Sequence, residues 1–149
     1  KLTNKIRDFI IRNTKLDFSA NKGVIGYNHL ISPGASKRAI SSDVAFYLLL
    51  SDLNAICLKL NKNLTVELSE NKLCALLSYL HNKHIDPTEI FLSTLNNGKY
   101  TLFGEHTFLN TLNPQNREAR EYRALRSLES WLWNDDDDLL LSFTAENLF

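Results

Sequence analysis

"GVIGYNHLI", residues 23–31, decides how this chain is read. Gly23 and Gly26 bracket two β-branched residues, and an aromatic, an amide and a histidine follow. Glycine within a β-branched run marks a bend or a close backbone approach in a short sheet. Residues 15–31 have no helical period, so they read as a small antiparallel sheet near the N-terminus. Three roles stay open for His29 at its end: a ligand, a base or a buried structural residue.

Outward from this sheet the pattern turns helical. Residues 3–12, "TNKIRDFIIR", place Ile6, Phe9 and Ile10 on one face of a short first helix. "SPGASKR", 32–38, is a loop by composition. Residues 42–60 form a long helix with Ser41 as its cap and Ala45, Leu49, Leu53, Ile56 and Leu60 as its stripe. Phe46, Leu48 and Leu50 lie off that stripe, which predicts that the helix runs through the middle of the molecule. A second buried helix covers 68–82, with Ser69 as N-cap and Leu73, Leu76, Leu77 and Leu80 inward. For 86–98 the expectation is a helix capped by Asp86, with Pro87 at its first position, Glu89 completing a capping box and Gly98 as its stop. A weak helix follows over 99–111. The last covers 114–132, with Ala119, Tyr122, Leu125, Leu128 and Leu132 inward. "NDDDD", 134–138, reads as a solvated acidic spacer before an apolar end, 139–149, that either docks on the body or serves as a hook for a partner.

The bulk numbers bound the function. A hydrophobic content of 44% over 149 residues suits one domain with a real core. Basic and acidic residues balance at 17 each, so net charge offers nothing to nucleic acid or to a membrane surface. No apolar run approaches the ~20 residues of a membrane span. Cys57 and Cys74 sit in apolar helical patterns and read as buried free thiols. His81, His84 and His106 have no metal spacing and read as surface residues, so neither a metal nor a cofactor is expected. No signal-peptide pattern is present and residue 1 is not Met, which points to a fragment or a processed form of something longer.

Four motifs, in order, resemble the phage-type (T4-like) lysozyme and endolysin family over roughly residues 5–133. "VIGYNHL" resembles the family's T-I-G-Y-G-H-L strand, and "AISSDVAFYLLLSDLNAI" its I-T-x-x-E-A-x-x-L-L-x-x-D-L helix. "LSENKLCALLSYLHNK" with "STLNNGKY" resembles the segments L-T-x-x-Q-x-D-A-L-x-S-F-x-x-N and S-T-L-x-x-L-N-x-G-x-Y. "NPQNREAREYRALRSLESWLW" resembles the closing G-L-x-x-R-R-x-x-E-x-x-L-W helix. The resemblance implies an α+β, mainly α, two-lobed fold: a small N-terminal antiparallel sheet, a long connecting helix over 42–60, and a helical C-terminal lobe. Residues 1–133 are then the lysozyme-like domain and 134–149 the acidic spacer and apolar tail. The implied ligand is a peptidoglycan glycan strand lying in a cleft between the lobes.

Glycan hydrolysis needs a proton donor at the glycosidic oxygen and a second carboxylate. In the family the donor is a Glu ending the first helix, in F-E-G-x-R-L-x-A-Y, followed by an Asp in the sheet and by the Thr of T-I-G-Y-G-H. Aligning Leu16 puts Arg12 at the Glu position, and aligning Phe9 puts Ile10 there. Neither side chain has a proton to give near neutral pH. The Asp position falls among Ser19, Ala20 and Asn21, and Val24 stands at the Thr. The expectation is a lysozyme fold without lysozyme chemistry. It would bind peptidoglycan, or serve as a structural module of a phage, secretion or cell-envelope machine, with a protein partner or the rest of a longer chain. The alternative is an active muramidase with relocated carboxylates, for which Asp8, Asp17, Glu105 and Glu118 are the candidates, each also readable as a solvated surface acid.

The resemblance further implies that His29 pairs with Asp52 as a structural tie between the sheet and the long helix, the carboxylate holding the imidazole as a cation. Tyr27, Asn28 and Arg117 are the cleft residues it brings forward. Asn28 replaces a family Gly and reads either as a sugar contact or as a turn residue tolerating positive φ. Arg117 matches an Arg that faces the family Glu. Tyr27, Tyr79, Tyr122, Trp131 and Trp133 read as core aromatics, with sugar stacking as the alternative.

Overall fold

A computed structural model describes residues 2–35, 38–109 and 120–135. The first helix, α1 (Asn4–Asn13), starts where the Thr3 hydroxyl accepts from the Ile6 amide at 3.3 Å. It buries Ile6, Phe9 and Ile10, which lie on one face because 3 and 4 residues separate them. The chain then forms a three-stranded antiparallel sheet, β1 (Leu16–Asn21), β2 (Val24–Tyr27) and β3 (His29–Leu30), in that order. Lys22 and Gly23 both take positive φ, +51° and +84°, as a tight hairpin with right-handed strand twist requires. Leu16 pairs with Tyr27, Asp17 with Gly26 and Ile25 with His29.

Gly26 is where the sheet meets the long helix α2 (Ser42–Asn63). A Cβ at Gly26 would lie 3.3 Å from the Ala45 Cβ and 3.4 Å from the Ile40 Cδ1, so glycine sets how closely β2 approaches α2. The Ser41 hydroxyl accepts from the Val44 amide at 3.2 Å and caps α2. The 22 residues of α2 span about 33 Å. Its buried stripe is Ala45, Leu49, Leu53 and Leu60, with Ile56 half-buried. The helix is more exposed than its apolar composition implied: Phe46, Leu48 and Leu50 are half-buried, and Tyr47 and Leu58 stand in solvent. The helix connects the sheet to the helical body along one side of the molecule, so only one face is covered.

The helix inside the body is α3 (Glu70–Lys83), capped by Ser69. Every residue from Cys74 to Asn82 is buried, between α1, α2 and α6 (Arg120–Asn134). It ends at His84, which takes φ +53°, while the Ile85 amide returns to the Leu80 carbonyl at 3.1 Å.

The helix expected over 86–98 is not continuous. Residues 86–88 are irregular, 89–92 form turns, and only α4 (Ser93–Asn96) is helical. The Asp86 carboxylate turns away to Lys59 at 2.9 Å, and the Pro87 carbonyl accepts from the Asn63 amide at 2.9 Å. Thr88 takes the capping role instead, its hydroxyl accepting from the Phe91 amide at 3.1 Å. Gly98 supplies the left-handed stop at φ +79°. The weak helix expected at 99–111 is α5 (Tyr100–Gly104) running into a π-helical turn, Glu105–Leu109.

Trp133 of α6 seals the body. Its ring lies 5.4 Å from Phe103 and from Phe108, and its indole N–H donates to the Tyr100 carbonyl at 2.8 Å. A Cβ on Gly104 would sit 2.5 Å from Trp133 Cδ1. Gly104→Ala is therefore expected to cost about 1–3 kcal/mol by overpacking, read as a lower midpoint in urea unfolding followed by tryptophan fluorescence. Leu125, Leu128 and Leu132 face inward from α6 as the stripe predicts. Pro114, Ala119, the Tyr122 side chain and the segment 136–149, including most of the acidic run and the apolar tail, lie outside the described residues. Both cysteines are free thiols, Cys74 buried as expected and Cys57 only half-buried on α2.

Candidate functional site

The last turn of α1 is where a proton donor would stand. Ile10 is fully buried in the core there. Arg12 is exposed, and the Asn13 amide folds back to the Phe9 carbonyl at 2.9 Å. Thr14 follows as a buried hydroxyl. Residues 10–14 thus carry no carboxyl group. Val24 is half-buried on β2, paired with Leu30 and Asn21.

The candidate acids are dispersed. Asp8 lies 3.7 Å from Arg7 on the outer side of α1. Asp17, on β1, is 4.0 Å from Lys15 with its side chain 21% exposed. Glu105 is exposed on the π-helical turn. Glu118 and Arg117 lie outside the described residues, and with them the opposition of Arg12 and Arg117.

His29 and Asp52 meet directly. The imidazole Nδ1 is 2.8 Å and 3.0 Å from the two carboxylate oxygens, and both side chains are about three-quarters buried. β3 thereby has a charge-assisted tie to the middle of α2.

A second tie joins the β2–β3 turn to the end of α3. Asn28 takes φ +58°, the left-handed region its amide side chain tolerates. Its Nδ2 donates to the Asn82 carbonyl at 3.1 Å and to the His81 carbonyl at 3.5 Å. The His81 Nε2–H donates to the Tyr27 carbonyl at 2.6 Å, and the His84 Nε2–H to the Asn28 carbonyl at 2.9 Å. His81 was expected at the surface and is instead 3% exposed. The sequence held a signal for this: His81 lies four residues after Leu77 and seven after Cys74, on the buried face of α3. His84 is exposed as expected but engaged, and His106 is exposed. Tyr27 is half-buried against the core, as is Trp131, while Tyr79 and Trp133 are buried.

The two ties border an open groove of about 270 Å³ between α2 and the end of α3, lined by His29, Asp52, Lys59, His81, His84 and Asp86 among others. Despite this density of imidazole and carboxylate, no group of three ligating side chains among the described residues could hold a metal ion.

The most perturbed acid among the described residues is elsewhere. Glu129 of α6 is fully buried, with Arg126 beside it at 2% exposure. Arg126 Nε is 2.8 Å from Oε1, and Nη2 donates to Oε2 at 3.2 Å. The guanidinium also lies over the Tyr79 ring at 4.9 Å. Burial pushes the Glu129 carboxyl up to about 7 from 4.5, with Arg126, the Ser78 hydroxyl and Lys83 pulling it back. A protonated carboxyl near neutral pH suits a general acid. Glu129 is closed off at the α3–α6 contact, however, and has no surface through which to reach a glycan. The pair lies inside the α3–α6 contact, and the sequence held a signal for it: Glu129 is four residues after Leu125 and three before Leu132, on the inner stripe of α6. Burial raises the Cys57 thiol, and raises Cys74 well above the usual range with Glu129 and Glu70 adding to it, so neither is an activated thiolate.

By sequence, neither a family profile nor a curated protein matches the chain. By structure, it is similar to the endolysin of Escherichia coli O157:H7 phage FAHEc1, with TM-score 0.70 and 20% identity over 92% of this chain and 95% of that one. It is similar to the muramidase domain of SpmX from Asticaccaulis excentricus, with TM-score 0.70 and 22% identity over 91% and 98%. It is also similar to the lysozyme of phage P22, with TM-score 0.64 and 18% identity over 91% and 99%. The fold is that of the phage-type lysozymes. This lysozyme-like fold carries the small sheet, the long α2 and the helical body expected from the motifs. No helix among its described residues is long and apolar enough to cross a membrane.

Proposed function

We propose that this lysozyme-like domain works without cleaving glycan, as a peptidoglycan-binding or assembly module of a phage, secretion or cell-envelope machine. One observation carries the reading: residues 10–14, at the end of α1, supply a buried isoleucine, an arginine, an asparagine and a threonine, and no acid. General acid catalysis contributes ~10²–10⁴ in rate, and its loss together with the partner carboxylate removes most turnover. Val24 adds to this, since it has no hydroxyl to hold a water. The muramidase domain and the endolysin among its structural neighbours support peptidoglycan as the ligand class.

The test is release of soluble muropeptides from purified sacculi, run beside sedimentation of the protein with the same sacculi. The expected result is co-sedimentation without release. Release abolished by Asp17→Asn would instead establish the active-muramidase reading, which rests on the recessed Asp17 of β1. Absence of both release and co-sedimentation would leave the assembly role and discard the glycan ligand.

A further inference from the structure

Three imidazoles converge where the β2–β3 turn meets the helical body. His81 donates through Nε2 to the Tyr27 carbonyl at 2.6 Å and His84 to the Asn28 carbonyl at 2.9 Å, while His29 Nδ1 meets Asp52 at 2.8 Å. His81 has its Nε2 committed, which leaves Nδ1 as the place where a proton is taken up. We propose that this junction is a proton-operated latch between the sheet and the helical body, closed while His81 is neutral and released when His81 is protonated. The inference stands whether or not the domain binds or cleaves glycan.

Its basis is the surroundings of His81. The ring is 3% exposed, so a positive charge there is held almost without water. The charged and titratable neighbours are Asp52 and Lys59 from α2, His29 from β3, His84 from the end of α3, and Asp86 beyond it, while Lys83 turns to the Tyr79 ring instead. The carboxylates are already engaged: Asp52 by His29, and Asp86 by Lys59 at 2.9 Å. A proton on His81 is therefore a buried charge whose neighbouring carboxylates are already paired with other groups. Burial lowers the His81 pKa from 6.5; the Tyr27 carbonyl and Asp52 oppose this, and His84 and His29 add to it. Protonation does not break the Nε2–H bond by itself. The buried charge favours a state in which the ring moves into water, and that movement gives up the Tyr27 contact and loosens the turn.

The sign follows from linkage. A base with a lower pKa in the closed state binds its proton better when open, so closure weakens as pH falls below 6.5. With one proton linked, the opening equilibrium rises by up to about tenfold per pH unit until His81 is protonated in the closed state as well.

Amide hydrogen exchange of the full chain, from about pH 7 to about pH 5 with intrinsic exchange rates divided out, tests this. The Ile31 amide, bonded to the Gly23 carbonyl, and the amides of β2 are expected to lose protection by up to about tenfold per pH unit, while those of Leu76 and Leu77 in α3 hold theirs. His81→Gln keeps a neutral donor and is expected to abolish the pH dependence; His84→Gln, which removes a neighbouring imidazole that lowers the His81 pKa, is expected to shrink it. Protection of β2 that does not change with pH overturns the latch. So does a decline that persists undiminished in His81→Gln, which would place the titrating group elsewhere. Should His81→Gln fail to fold, the ring titration of His81 by NMR in the parent chain decides: a midpoint at or above 6.5 overturns the proposal.

Discussion

Glu129→Ala is expected to lower folding stability by about 3–5 kcal/mol, a large share of the roughly 5–15 kcal/mol of an ordinary domain. The reason is the partner left behind. Arg126 is 2% exposed and stays charged at any accessible pH, so losing Glu129 strands a buried cation. Its Nη1 is already buried without an acceptor among the described residues. Replacing both members by apolar groups, Arg126→Met with Glu129→Leu, removes the stranded charge and is expected to recover most of the loss; urea unfolding of both variants measures this. The pH dependence has a definite sign. The folded carboxyl sits at about 7 against 4.5 for a free one, so folding binds its proton. Its favourable contribution is complete below pH 4.5 and fades by about 3 kcal/mol as pH rises through 7. Glu129→Gln should flatten that slope. What remains is the opposite dependence of His81, which weakens the closed form as pH falls below 6.5.

Where a residue's partner lay within one turn of chain, the sequence was sufficient to place it. Ser41 and Ser69, read as caps, accept from amides three residues downstream, while Thr3 and the Lys22–Gly23 hairpin are equally local features that the sequence reading did not single out. Where the deciding partner came from afar, the same reasoning failed. Asp86 has the local context of an N-cap, and its carboxylate goes to Lys59, 27 residues earlier. His81 looks like a polar residue near a helix end, and its burial depends on a turn 54 residues away closing over it. The Arg126–Glu129 pair is local in sequence, three residues apart, yet its weight comes from Tyr79 and Ser78 covering it from α3. His29 and Asp52 could be joined only through the family resemblance, because no periodicity relates a strand residue to a helix residue 23 positions on.

Asn28→Ala is expected to cost about 2–4 kcal/mol, and Asn28→Gly clearly less, with the difference between them as the informative quantity. Asn28 does two separate things. Its backbone holds φ +58°, which strains an alanine by about 1 kcal/mol and leaves glycine unstrained. Its side chain donates to the Asn82 and His81 carbonyls, and each neutral bond of this kind contributes about 0.5–1.5 kcal/mol. Alanine loses both contributions, whereas glycine loses only the hydrogen bonds. The cost that the two variants share is therefore the worth of the amide's grip on α3, and the excess in alanine is the backbone term. Urea unfolding gives both quantities, and amide exchange of the β2–β3 turn shows where the loss is spent. If the amide holds the turn to α3, Asn28→Gly raises exchange at Ile31 and in β2 while α3 stays protected. Equal stability of Asn28→Gly and the parent chain would mean that the turn is held by His81 and His84 alone. A double variant, His81→Ala with His84→Ala, would then lose sheet protection at every pH, since neither imidazole bond from α3 to the turn would remain.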